Sequence, residues 1–170
     1  MICNRLTSFF VFGSWIFLPL TGCSYSFSGA NLGGLKTVAI PVFENLTSEP
    51  NIRERVSGDL TKAILDDNNL KISDVRQADA VLFGRITKFE DVPFAFDQAA
   101  NNTFTTSDYK VTIIATIRFE NRKEKKIVWE ESVTGWGRYS AQGEKKRTDG
   151  IDDAIKMITQ HVVNKMVSDW

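Results

Sequence analysis

The 170-residue chain contains one histidine and two cysteines, and its 21 basic side chains are matched by 21 acidic ones. A single imidazole leaves no zinc site built from paired His and Cys ligands, so no metal centre is expected. Chemistry that needs two histidines is excluded in the same way. A formal net charge of zero removes the basic excess with which nucleic-acid binders replace phosphate counterions, so no nucleic-acid partner is expected. The apolar run near the N-terminus, Leu6 to Leu20, is about 15 residues, short of the roughly 20 that span a bilayer. What is present is a globular composition, 42% hydrophobic and 25% charged, with 12 Phe, 4 Trp and 3 Tyr to fill a core.

Residues 1–22 read as an export signal. Arg5 is their only charge, and the apolar run is followed by Leu20-Thr21-Gly22-Cys23. A hydrophobic residue, two small residues and a Cys resemble a bacterial lipoprotein cleavage site: small side chains fit the peptidase cleft and the thiol accepts a diacylglyceryl group. The competing readings are an uncleaved anchor and a plain signal with a chance Cys. Cleavage before Cys23 removes Cys3 and converts the remaining sulfur to a thioether, which excludes a disulfide and a cysteine nucleophile. Each buried acyl CH₂ contributes about 0.8 kcal/mol and a single chain anchors only marginally, so several chains on Cys23 make the attachment lasting. Ser24 stands where an Asp favours inner-membrane retention, which points to the outer membrane. The expected organisation is a signal over 1–22, a Gly- and Ser-rich lipidated tether over 23–36, and one domain over 37–170. No cofactor is expected beyond the covalent lipid on Cys23.

The domain begins with a short apolar strand, Thr37 to Phe43, which belongs at an edge because Pro41 donates no ladder hydrogen bond. Ile52, Val56, Leu60, Ala63 and Ile64 share one face of a helix over about 51–67. Asn51 with Glu54 forms a capping-box variant there, with Ser48 as an alternative cap. Leu70 to Val75 is a short strand or an extended segment. Ala80 to Val92 is a longer strand in which Gly84 marks a bulge or close packing by a neighbour. Residues 93–107 read as a polar loop. In the next strand Tyr109, Val111, Ile113, Ala115, Ile117 and Phe119 face one side, and Lys110, Thr112, Ile114, Thr116 and Arg118 the other. A charged turn at 121–126 leads to a return strand, Ile127 to Tyr139. A second helix from about 150 buries Ile151, Ala154, Ile155, Ile158, Val162 and Met166, with Asp149, Asp152 and Asp153 at its positive N-terminal end. The order β-α-β-β-β-α predicts an α/β (α+β) two-layer sandwich: two helices on one face of a four-stranded mixed, mainly antiparallel sheet.

The residues argue against an enzyme. His161 flanks the buried stripe of the second helix, where packing or surface exposure explains it better than a catalytic base. Gly29, Gly33 and Gly34 do not open a helix and so form no phosphate cradle. The pairs Asp66-Asp67 and Asp152-Asp153 point about 100° apart on their helices and do not converge on a metal. Surfaces remain. The sheet face away from the helices offers Lys110, Thr112, Ile114, Thr116 and Arg118, joined according to register by Phe83, Arg85, Thr87 and Phe89, or by Trp136 and Arg138. Such a face is either an ordinary wet antiparallel sheet or a contact surface for a partner or an anionic amphiphile, since Arg meets phosphate bidentately and aromatics suit apolar contacts. Lys110, Arg118 and Arg138 are the candidate contact residues.

An ordered set of motifs resembles the LPS-assembly lipoprotein family of the LptE type. The set is Cys23-Ser24-Tyr25-Ser26-Phe27, with Ser24 in place of the usual Gly; Val38 to Asn45 with Thr47 and Glu49-Pro50; Ala78-Asp79-Ala80-Val81-Leu82 with Gly84; Val128-Trp129-Glu130-Glu131; and a C-terminal helix ending in Trp170. The resemblance implies two helices on a four-stranded sheet. It also implies a lipid-anchored outer-membrane protein, facing the periplasm or seated within the lumen of the LPS-inserting β-barrel, which it plugs and helps to assemble, with lipopolysaccharide as a ligand. No contact residue transfers from the motifs. The alternative class is an envelope lipoprotein of the curli-secretion or penicillin-binding-protein-activator type, which also begins with a strand, a Pro-Phe-like turn and a helix.

Overall fold

A computed structural model describes residues 34–98 and 104–168. The export signal, Cys23, most of the tether and Trp170 lie outside the described residues. The elements run β1 (Thr37–Ala39), β2 (Glu44–Asn45), α1 (Ile52–Asp67), β3 (Lys71–Ile72), β4 (Ala80–Gln98), β5 (Phe104–Asn121), β6 (Lys126–Ser140) and α2 (Arg147–Ser168). They build one mixed sheet in the order β3-β1-β4-β5-β6, with β2 continuing the β1 side of β4. β1 is parallel to β3 and β4, as a crossover through α1 requires, and β4, β5 and β6 are antiparallel. The α+β sandwich of two helices on a mainly antiparallel sheet is the architecture expected, with six strands rather than four.

Three differences have physical causes. The expected strand over 37–43 divides into β1 and β2 around Pro41, which has no N–H for the ladder. The chain leaves β4 there and turns Phe43 into the core. The Phe43 N–H donates to Ser57 Oγ at 2.9 Å, and that hydroxyl donates to the Arg53 carbonyl at 2.7 Å. The expected loop over 93–107 is largely strand, because β4 continues to Gln98 and β5 begins at Phe104. Pro93 is tolerated because β2 ends opposite Ile86, which leaves this part of β4 at the sheet edge. Both faces of that ribbon are wet, so its polar residues resemble a loop. Finally, α1 is not capped by a side chain: Asn51 lies in the left-handed region (φ 58°) and makes no cap bond. The Asn45 carboxamide instead organises the preceding turn, accepting from the Thr47 N–H and hydroxyl and donating to the Glu49 carbonyl at 3.0 Å.

The helical faces are those the periodicity marks. Ile52, Val56, Leu60 and Ile64 of α1 and Ile151, Ala154, Ile155, Ile158, Val162 and Met166 of α2 are buried against Val111, Ile113, Ala115, Ile117 and Phe119 of β5. Asp149 serves the start of α2 directly, its carboxylate accepting the Lys146 N–H at 2.7 Å. Gly84 is a site of close packing rather than a bulge: a Cβ there would lie 2.1 Å from the Phe43 ring. Gly135 and Gly137 let α2 rest on β6 almost backbone to backbone. A Cβ on either would lie 2.0 Å from the Ala154 carbonyl oxygen or 2.1 Å from that of Gly150.

Asp79 ties three segments together. One carboxylate oxygen accepts the Lys36 N–H at 2.8 Å and the Thr37 N–H at 3.2 Å, and the other lies 2.8 Å from Lys123 Nζ. Its own N–H donates to Thr37 Oγ1 at 2.9 Å, and its carbonyl accepts from Arg122 N at 2.9 Å. The entry to β1, the start of β4 and the β5–β6 turn are thereby pinned at one end of the sheet. The Lys123 ammonium and then the Lys36 N–H hold this carboxyl down at about 2, against an ordinary 3.8.

Two predictions follow from the packing and from the Asp79 anchor. Gly135→Ala lowers the unfolding free energy by about 3 kcal/mol, because a backbone carbonyl cannot yield. Gly58→Ala, mid-helix with nothing within 4 Å of the added methyl, raises it by about 0.5–1 kcal/mol. Urea titrations of both variants measure the opposite signs. Asp79 binds a proton more readily unfolded than folded, so its stabilisation is complete above about pH 4 and is lost as pH falls toward 2. Asp79→Asn is expected to lower stability at pH 7 by roughly 2 kcal/mol and to flatten stability against pH in that window, read from denaturation midpoints between pH 7 and 2.

Candidate contact surface on the open sheet face

Both helices cover one side of the sheet, so alternate residues of β4, β5 and β6 on the other side meet solvent. At the end where the chain enters β1, a small cluster of Ala39, Ala78 and Val81 is buried on this side. Beyond it the face is open. Register sets its membership. Phe83 pairs with Arg118 and Arg85 with Thr116, but the ladder shifts between Ile86 and Lys88, so Thr87 is extra and the faces exchange. Phe89 therefore pairs with Ile113 and packs against the core, contrary to the strict alternation that put it with Phe83 and Arg85. Lys88 and Glu90 take its place on the open face. A second shift around Phe94 returns an aromatic to that side.

The face has two unlike halves. Toward the β4–β5 hairpin, Lys110 pairs in register with Arg138, and Phe94 lies beneath both. The Lys110 ammonium is 6.0 Å from the Phe94 ring centre and 5.2 Å from that of Trp136, and the Arg138 guanidinium is 5.1 Å from Phe94. Neither cation has a carboxylate partner among the described residues, and Val92, Phe94, Phe96 and Trp136 are exposed around them. Other cations of the face are neutralised: Arg85 by Glu44 at 2.6 Å and Lys88 by Glu90 at 2.8 Å. Arg118 belongs to the other half, eight residues and about 27 Å along β5 from Lys110. Its guanidinium lies 5.1 Å from the Phe83 ring and only loosely near Glu120, at 3.8 Å. The structure thus brings Lys110 and Arg138 together and sets Arg118 apart.

A polar latch closes the helix side at the hairpin end. Arg147, at the start of α2, grips both Glu49 carboxylate oxygens (2.9 and 2.8 Å) and one Asp91 oxygen (2.6 Å), and lies 5.4 Å from the Phe89 ring. The other Asp91 oxygen accepts the Tyr139 hydroxyl at 3.0 Å, and Tyr139 stacks on Tyr109 with centres 5.2 Å apart. Burial first, then the bond to Asp91, push the Tyr139 hydroxyl up to about 12, so it stays a neutral donor. The Glu49 and then the Asp91 contacts raise the Arg147 guanidinium further above its already high value. Sequence reasoning missed this latch, because its members lie 48 to 98 positions apart and no spacing joins them.

Several other ionisable groups pair locally. His161 Nε2 is 2.6 Å from Glu131, on an exposed part of α2. Asp152 pairs with Arg55 across the two helices and Asp153 with Lys145, so the adjacent carboxylates diverge as expected. Among the described residues no group of three His, Cys, Asp or Glu is placed to hold a metal ion.

Residues 35–166 match the family model for lipopolysaccharide assembly, LptE. No curated protein matches the chain. Solved structures share the fold at low identity. A Xanthomonas campestris protein has a TM-score of 0.58 at 11% identity, covering 79% of this chain and 85% of that one. A hypothetical protein of Chlamydia trachomatis reaches 0.55 at 9%, covering 79% and 98%. A PelC dodecamer of Paraburkholderia phytofirmans reaches 0.51 at 12%, covering 78% and 89%.

Proposed function

The chain belongs to the LptE family of lipopolysaccharide-assembly proteins, and we propose that it is the lipid-anchored outer-membrane member of an LPS-inserting complex. In this reading it is held by lipid on Cys23, sits in the lumen of the β-barrel that inserts lipopolysaccharide, plugs it, helps it assemble and passes LPS toward the outer leaflet. The family match over nearly the whole domain carries the reading. The family's role is assembly rather than catalysis, and this chain acts through its surfaces rather than as an enzyme.

The geometry supports the reading physically. A plug needs a rigid body with no large apolar patch and a face that meets a polar lumen. Here the helix layer buries one sheet face and leaves the other with Thr, Ser, Arg, Lys and Glu side chains interleaved with the exposed Phe83, Phe94 and Trp136. A tether on Cys23 raises the local concentration of the domain beside a membrane-embedded partner. Lys110 and Arg138, converging on Phe94 without an ion-pair partner among the described residues, offer a phosphorylated amphiphile two cations and an aromatic surface together. Arg118 is the third candidate contact, and its separation assigns it a smaller share.

Purification of the lipidated protein from outer membranes in mild detergent tests the plug. A one-to-one complex with a large, heat-modifiable β-barrel is expected. Recovery alone, as a ring of copies, or with a wall synthase overturns the reading and favours the alternative lipoprotein class. Replacing Lys110, Arg118 and Arg138 together by Ala is expected to weaken LPS binding about ten- to hundredfold with the melting temperature unchanged. Arg118→Ala alone accounts for little of that loss. Titration of purified LPS into each variant reads the difference, and unchanged binding removes these residues from the account.

A further inference from the structure

The half of the open face around Arg118 contains an open trough of about 400 Å³. One rim is the segment joining β1 to β2, where Val42 and Leu46 stand 61% and 59% exposed. The other side is Phe83, Thr116, Arg118 and Glu130 on three successive strands. Pro41 and the bridge from Arg85 to Glu44 complete the wall.

Two charged groups of its wall have weak partners or none among the described residues. Arg118 Nε is shielded from solvent and has no hydrogen-bond partner among the described residues, and the ion pair of this guanidinium with Glu120 is loose, at 3.8 Å. Glu130, opposite Arg118 in register, makes no ion pair or hydrogen bond among the described residues. A cation held only loosely, by Glu120 and the Phe83 ring, and a carboxylate without an ion pair among the described residues therefore stand side by side, beside two exposed aliphatic side chains.

We propose that this trough docks an extended polypeptide segment of the partner protein, with an acidic residue on Arg118, a donor on Glu130 and apolar side chains over Val42 and Leu46. Charge selects the occupant. The two arginines of the lining are balanced by Glu44 and Glu130, so a phosphate-rich headgroup placed here would face two carboxylates. A polypeptide supplies donors and acceptors of both kinds along one strand, and a volume of this size takes a few residues. Lys110 and Arg138 form no ion pair among the described residues and lean on Phe94 instead, so the candidate polyanion contacts and this trough are separate parts of the open face. That the segment belongs to a β-barrel rests on the proposed function; the chemistry of the trough does not.

The test places a photo-crosslinking residue at Leu46, and separately at Trp136, in the full-length lipidated protein in cells. Adducts are identified by mass spectrometry alongside the copurification described above. The Leu46 position is expected to yield a peptide adduct within an extended, acid-bearing segment of the copurifying barrel. Arg118→Glu is expected to cut that adduct roughly tenfold, and a Lys at the partner's acidic position to restore it. The melting temperature of Arg118→Glu, and the milder Arg118→Gln, separate loss of docking from loss of fold. Adducts at Leu46 with lipid or with a second copy of this chain overturn the proposal, as do no adduct and an adduct indifferent to Arg118. If no barrel copurifies but another protein's acidic segment crosslinks with the same dependence on Arg118, the groove stands and the plug reading falls.

Discussion

Helix α2 lies on β6 closer than any side chain at Gly135 or Gly137 would allow, since a methyl group on either would meet a helix carbonyl at about 2 Å. The rest of the molecule depends on that approach. It commits one face of the sheet to the helix layer and sets the depth at which Ile151, Ile155, Ile158 and Val162 reach β5. It brings the first turn of α2 to where Arg147 clasps Glu49 and Asp91. A helix held farther away would leave a gap in the core and break the latch. Because both helices are spent on one side, no helix of the described residues covers the other face, and beyond the Ala39, Ala78 and Val81 cluster it is open.

The residues that carry the family resemblance mostly hold the frame. Phe43 fills the space over Gly84, Asn45 and Thr47 shape the turn before α1, Glu49 is half of the Arg147 latch, and Asp79 pins three segments at the sheet end. None of them belongs to the Lys110–Arg138 pair. A frame position tolerates few side chains because its neighbours are backbone atoms and buried groups. A contact position is constrained only by its ligand, so the motifs mark mainly the scaffold and leave Lys110, Arg118 and Arg138 to be found from the face they share.

That open face is asymmetric in charge. At the hairpin end two cations share an aromatic ring and form no ion pair among the described residues, which suits a polyanionic ligand. Toward the β1 end acid and base are balanced around a trough with an apolar rim, which suits a polypeptide. In the proposed reading the protein partner and the lipid ligand therefore take separate parts of one surface, some 27 Å apart.

Periodicity alone determined both helices, their buried faces and the inward face of β5, because a period of 3.6 or 2 is a local property and each element had only one apolar side. It also led to the one-sided sandwich and to Lys110, Arg118 and Arg138 as outward cations. What it did not determine was relational. The exchange of faces at Thr87, which sent Phe89 into the core, depends on the ladder with β5. The continuation of β4 and β5 through a polar stretch depends on cross-strand pairing that outweighs local composition. The Arg147 latch and the Asp79 anchor join residues up to 98 positions apart. Which cations stand free and which are neutralised was settled by the neighbours that register supplies, and register is a property of paired strands rather than of any one of them.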